Sequence, residues 1–70
     1  MLEQKIIARN VKTLRKSMCE TQEEFAERCD ISYHTVSNIE CGKFIPKSET
    51  LAKISIATGV SIADLLYEKK

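Results

Sequence analysis

Seventy residues can close one hydrophobic core and no more, because a chain of this size buries only about 60% of the surface its unfolded form exposes. Hydrophobic residues make up 43% of the chain and charged residues 30%, with two Gly and one Pro; that balance favours packed helices over disorder or a turn-rich β-fold. A net charge of +1 neither announces nor excludes a nucleic-acid partner, since a local stripe of Lys and Arg matters more than the sum.

The opening stretch MLEQKIIARNVK holds no apolar run long enough for a signal peptide, and nowhere does the chain approach a membrane span. A cytoplasmic protein with one domain over residues 1–70 is therefore expected. Ile7, Val11, Leu14 and Met18 recur at i, i+4, i+7 and i+11, the apolar stripe of an amphipathic first helix over residues 3–17. The next stretch, TQEE, has the form of a capping box: Thr21 accepts from the N–H of Glu24, and the Glu24 side chain reaches back to the N–H of Thr21. Glu23 and Glu24 also suit the positive end of a helix dipole. The second helix thus starts at Gln22, turns Phe25, Ala26 and Cys29 inward, and runs out at Asp30.

Ser32 is an N-cap for a third helix ending near Cys41, where Gly42 can take the left-handed conformation that closes a helix. After a loop containing Lys43, Phe44, Ile45 and Pro46, Ser48 lies near the start of a fourth helix with Leu51, Ile54 and Ala57 inward. Gly59 ends it. Ser61, with Asp64 three residues on, caps a short fifth helix carrying Ile62, Leu65 and Leu66. The expected fold class is all-α, with no strand, repeat, low-complexity tract or linker.

Two short helices joined by a tight turn over residues 21–41 are the architecture of a helix-turn-helix, whose second helix enters the DNA major groove. Ala26 is small where the two axes would approach, and Asp30 stands at the turn, where a positive φ is often needed and Asp is tolerated. Phe25, Cys29, Ile31, Val36 and Ile39 supply apolar groups at the spacings that crossed helices bury. Tyr33, His34, Thr35, Ser37 and Asn38 then cover the other side of the third helix with hydrogen-bonding groups and no formal charge. Groups of that kind discriminate base edges, whereas a Lys mainly senses phosphate. The alternative for this face is an ordinary solvated surface.

The stretch TQEEFAERCDISYHTVSNIECGK, followed by PKSETLAKISIATGVSIADLL, resembles the lambda-repressor-like (XRE-type, phage-repressor-like) helix-turn-helix domains. T-Q-E-E-x-A, the I-S cap, I-E-x-G-K and G-V-S before the last helix carry the likeness over roughly residues 5–67. It implies a compact five-helix domain that binds double-stranded DNA as a homodimer on a near-palindromic site. It also implies roles for single residues. Base contact falls to Tyr33, His34, Thr35, Ser37 and Asn38, and backbone contact to Thr21, Gln22, Ser32, Lys43 and Lys47. Arg15 and Glu40 form a structural ion pair. Against the family pattern, Cys19 and Asp30 replace turn glycines, Glu20 replaces an apolar residue, Cys41 stands where Asn is common, and Ile56 replaces an outward charged residue.

The charge is unevenly spread: residues 21–41 hold one Arg against five acids, with basic stretches on either side. Arg9, Lys12, Lys43, Lys47 and Lys53 are candidate phosphate neighbours, and Glu23 and Glu27 are expected to face away from DNA. Phe44, Ile45, Ile56, Val60 and Tyr67 are a possible exposed apolar set. Of these, Val60 is expected to finish the core, while Phe44, Ile56 and Tyr67 are candidates for a dimer interface.

Three Cys, at positions 19, 29 and 41, contain no CxxC pair and accompany a single His. That pattern argues against a zinc site and a full disulfide framework, and fits free thiols in a reducing compartment. His34 has no partner at a spacing that suggests catalysis. No enzyme activity, cofactor, metal or small-molecule ligand is expected. The expected function is sequence-specific DNA-binding transcriptional regulation, as a repressor that occupies a promoter. Without room for a sensor domain, control is expected from concentration, a partner or proteolysis. The alternative is an antitoxin-like or coactivator-like protein-interaction module on the same fold.

Overall fold

Five helices follow one another in the computed structural model: α1 (Leu2–Ser17), α2 (Gln22–Cys29), α3 (Tyr33–Glu40), α4 (Ser48–Thr58) and α5 (Ile62–Leu66). The structure describes residues 2–67, and the remaining positions of the expected 1–70 domain, residues 1 and 68–70, lie outside the described residues.

Local chemistry explains where these helices start. The capping box at α2 is complete, with the Glu24 N–H donating to Thr21 Oγ1 at 3.1 Å and the Thr21 N–H donating to Glu24 Oε1 at 2.8 Å. Ser32 and Ser61 accept from the N–H groups of Thr35 and Asp64, each at 3.1 Å, and cap α3 and α5. Helix α4 differs: its N-cap is Lys47, which makes no side-chain cap bond, and Ser48 is the first helical residue.

The helix ends share another device. After α1, the N–H of Cys19 donates to the carbonyl of Lys16 and that of Glu20 to Arg15; after α2, Asp30 donates to Glu27 and Ile31 to Ala26; after α3, Gly42 donates to Ile39 and Lys43 to Asn38. Each pair is a Schellman motif, which satisfies two orphan carbonyls by turning one residue left-handed. Only the third uses glycine, at φ 70°; the other two hold Cys19 and Asp30 at φ 58°. Cys19 and Asp30, which replace the turn glycines of the family pattern, thus both adopt the left-handed conformation that glycine favours.

Ile7 and Val11 of α1, Phe25, Ala26 and Cys29 of α2, Val36 and Ile39 of α3, Leu51 and Ile54 of α4, and Leu65 of α5 meet in one buried cluster. Leu14, Met18, Ile31, Ala57, Val60 and Leu66 pack around it. Phe25 is fully enclosed, and truncating such a side chain to Ala typically costs about 3–5 kcal/mol. Helix α3 rests on α1 and α2, α4 on α2, and α5 on α1 and α4. The short α5 is fastened by Asn10, whose Nδ2 donates to the carbonyls of Asp64, Leu65 and Tyr67 at 3.3, 3.0 and 2.9 Å. That one amide satisfies acceptors that five helical residues cannot satisfy themselves.

Candidate nucleic-acid interface

With about 100° between successive residues of a helix, Tyr33, Ser37, Cys41, His34 and Asn38 follow one another, in that angular order, around one side of α3. Val36 and Ile39 point the other way and are fully buried. Tyr33 and His34 are exposed, Ser37 and Asn38 half-buried. The two exposed rings meet edge-on, with centroids 5.7 Å apart and planes at 61°. Thr35 stands apart from this set: it is half-buried, on the flank near Ile39, and its hydroxyl lies 2.8 Å from Ser32 Oγ. Cys41, the C-cap of α3, is exposed and falls in the middle of the fan.

What fixes this face in space is a charged network behind it. Arg15 Nε donates to Glu40 Oε2 at 2.7 Å and Arg15 Nη2 to Glu40 Oε1 at 3.0 Å, joining the end of α1 to the end of α3. The side chains are 13% and 3% exposed. A third bond reaches the same carboxylate from α2, as Gln22 Nε2 donates to Glu40 Oε1 at 3.1 Å. Arg15 Nη1 also donates to the carbonyl of Glu20 at 2.8 Å. The hydrogen bonds to Glu40 raise the pKa of Arg15 above its ordinary value against the desolvation that opposes them. Helices α1, α2 and α3 therefore converge on one carboxylate, with planar, paired geometry that a Lys at position 15 would not reproduce.

The remaining candidates for backbone contact are dispersed. Thr21 is occupied by its capping box, which leaves the N–H groups of Gln22 and Glu23 at the open end of α2. Lys43 follows α3 and Lys47 precedes α4, both exposed. Lys12 is exposed on α1, and Arg9 lines a groove of about 440 Å³ between α1 and α5. Lys53 is turned elsewhere: its Nζ donates to the carbonyl of Asp30 at 3.3 Å and lies 3.9 Å from Asp30 Oδ2, so it ties α4 to the α2–α3 turn. Glu23 and Glu27 are exposed on α2. Among the apolar candidates, Val60 packs against the core, while Phe44, Ile45, Ile56 and Tyr67 are 37%, 46%, 84% and 67% exposed.

Three features of the site escape a reading by periodicity. Glu20 is matched by Arg28, which donates from Nε to Oε1 and Oε2 at 3.0 and 2.8 Å and from Nη2 to Oε2 at 2.6 Å. This pair holds the Glu20 carboxyl below the usual range and explains how an acid replaces an apolar residue there. Nearby, burial pushes the Cys29 thiol up to about 11, so it stays protonated and unreactive at neutral pH. The Gln22–Glu40 bond and the Asn10 clamp are the other two. Asn10 had one available signal, as an uncharged amide beside the apolar stripe of α1.

The helix-turn-helix family model matches residues 11–65. The chain belongs to the helix-turn-helix family. Its five-helix form is the lambda-repressor-like one, and this helix-turn-helix protein is a DNA-binding regulator of transcription rather than an enzyme. A solved structure described as a hypothetical transcription factor, NHTF, from Neisseria is similar, with 26% identity, a TM-score of 0.85, and 93% of this chain and 75% of that one covered. No curated protein matches the sequence. No helix among the described residues is long and apolar enough to cross a membrane.

Proposed function

We propose that this helix-turn-helix protein is a cytoplasmic, sequence-specific repressor. It binds a near-palindromic operator as a homodimer, with α3 in the major groove, and blocks a promoter by occupying it. The observation that carries this reading is the exposed, uncharged face of α3 backed by the enclosed Arg15–Glu40 pair. A rigid helix with neutral donors and acceptors on its outer side suits base-edge readout, in which Asn38 can bond adenine in bidentate fashion and Tyr33 or His34 can donate to base acceptors. Gln22, Ser32, Lys43 and Lys47, with the N-terminus of α2 that Thr21 caps, take the backbone. The exposed Ile56 and Tyr67, with Phe44, supply apolar surface for the second subunit.

Selection of bound duplexes from a random pool tests all parts of the reading together. The expected product is an inverted repeat whose half-sites lie about 34 Å apart, one turn of B-DNA. Enrichment of a single unrepeated half-site would refute the dimer, and no enrichment over the starting pool would refute sequence-specific binding.

A further inference from the structure

We infer that Gln22 is a positioning residue for α3, one that governs discrimination between DNA sequences through Glu40 rather than serving only as a phosphate ligand. The resemblance assigns Gln22 to the backbone, yet in the structure its amide is engaged internally. Nε2 donates to Glu40 Oε1 at 3.1 Å, on the oxygen that also accepts from Arg15 Nη2 at 3.0 Å. Glu40 is the last residue of α3 and Gln22 the first of α2. The bond therefore runs from the end of α2 that would meet a phosphate to the helix that would meet the bases.

Its chemistry suits a bridge. An ionised carboxylate only accepts, so the amide nitrogen faces Glu40, and that nitrogen carries a second hydrogen. One hydrogen holds Glu40 while the other is available to a phosphate oxygen at the N-terminus of α2, where an anion is favoured. Phosphate anchoring and the setting of α3 then pass through a single side chain. Bidentate contacts to base edges tolerate little displacement, whereas Lys43 and Lys47 are flexible and follow a phosphate. Loss of the bridge is thus expected to reduce specific binding far more than non-specific binding.

The inference rests on the assignment of α3 to base contact, and the experiment separates the two. Affinities of the intact chain, Gln22→Met and Gln22→Lys are measured for the selected duplex and for a scrambled duplex of equal length, with thermal melting as a control for folding. Gln22→Met keeps the length and removes the donor. Its ratio of specific to non-specific affinity is expected to fall about tenfold, the factor for one hydrogen bond to a charged group. Gln22→Lys restores a donor to Glu40 and is expected to recover most of that ratio. Equal loss on both duplexes would make Gln22 a plain phosphate contact and overturn the inference, as would an unchanged ratio in the Met variant. Should the Met variant melt early, a collapsed ratio in a folded Gln22→Lys would overturn it as well. If the unaltered chain itself fails to discriminate between the duplexes, the base-reading role of α3 fails first.

Discussion

Replacing Cys19 with glycine is expected to stabilise the protein, and replacing it with alanine is not. Cys19 sits at φ 58° as the left-handed residue of the Schellman motif that closes α1. A Cβ in that conformation meets the following carbonyl and costs roughly 1–2 kcal/mol. Glycine removes the clash but enlarges the unfolded ensemble, a loss of about 0.4–1 kcal/mol. The net advantage of Gly over Ala at position 19 is therefore about 0.5–1 kcal/mol, the reverse of the ordering in a helix interior. For a domain of this size that corresponds to roughly 3–6 °C in melting temperature. The Cys19 side chain is exposed, so no packing term obscures the comparison. Urea and thermal unfolding of Cys19→Gly and Cys19→Ala, followed by circular dichroism under reducing conditions, measure it. An Ala variant as stable as the Gly variant would show that the left-handed turn stores no strain, and the account of this helix end would fall. Asp30→Gly is expected to gain less, because Asp tolerates this region better and Asp30 Oδ2 lies 3.9 Å from Lys53 Nζ.

Arg15→Met should destabilise by about 2–3 kcal/mol in urea unfolding, somewhat under the range for fully enclosed pairs because Arg15 keeps 13% exposure; a loss below half a kcal/mol, the scale of a surface pair, would deny the network its structural role. Glu20 has a folded pKa below its ordinary value of 4.5 through the hydrogen bonds from Arg28, so its contribution is present above about pH 4.5 and is lost as pH falls through the folded pKa. Arg28→Ala should flatten that acid limb of the stability curve, and an unchanged limb in the variant would remove the pair as its cause. In thiol labelling of the native protein, Cys19 and Cys41 should react while Cys29, buried and pushed up to about 11, should not; operator DNA should then slow Cys41 and spare Cys19, and equal rates with and without DNA would take Cys41 off the interface. The salt dependence of binding should reflect Lys43 and Lys47, about two phosphates per subunit at 0.9 in log K per log salt for each, and a slope per subunit twice as steep would show that other cations reach the backbone.

The parts of this architecture that were legible in the sequence are those whose partners lie within one helical turn. Thr21 with Glu24, Ser32 at α3, Ser61 with Asp64, and Gly42 after α3 all act over a few residues, so the letters alone announce them. The apolar stripes were equally plain, since a period of 3.6 repeats along each helix. The site was half legible: the face of α3 follows from that period and the Arg15–Glu40 pair from the family resemblance, but the bonds that join Gln22 and Asn10 to the frame follow from neither. Gln22 and Glu40 are 18 positions apart, and Asn10 and the carbonyls it clamps more than 50. Their meeting depends on how three helices cross, and no local pattern encodes it. Thr35 and Lys53 make contacts that the letters do not announce. Thr35 belongs to the polar run of α3, yet its position around the helix and its contact with Ser32 turn it from the outer face. Lys53 belongs to the basic set, yet the turn at Asp30 takes it.

Three cations on or beside the helix-turn-helix segment hold helices and turns together. Within residues 21–41 the only Lys or Arg is Arg28, and it is bound to Glu20. Arg15 belongs to Glu40 and Lys53 to Asp30. On the proposed reading, the helix-turn-helix segment meets a duplex with amides, hydroxyls and rings, with Lys43 and Lys47 at its margin. Non-specific affinity comes from cations, whereas discrimination comes from base-edge contacts. A surface arranged in this way gives up general attraction to DNA and keeps its capacity to choose among sequences. On the proposed reading, one subunit so equipped binds weakly, because few counterions are released, and a second subunit on an inverted repeat adds its own Lys43 and Lys47 and binds at high effective concentration. The acidic middle of the chain thus accords with the proposed dimer.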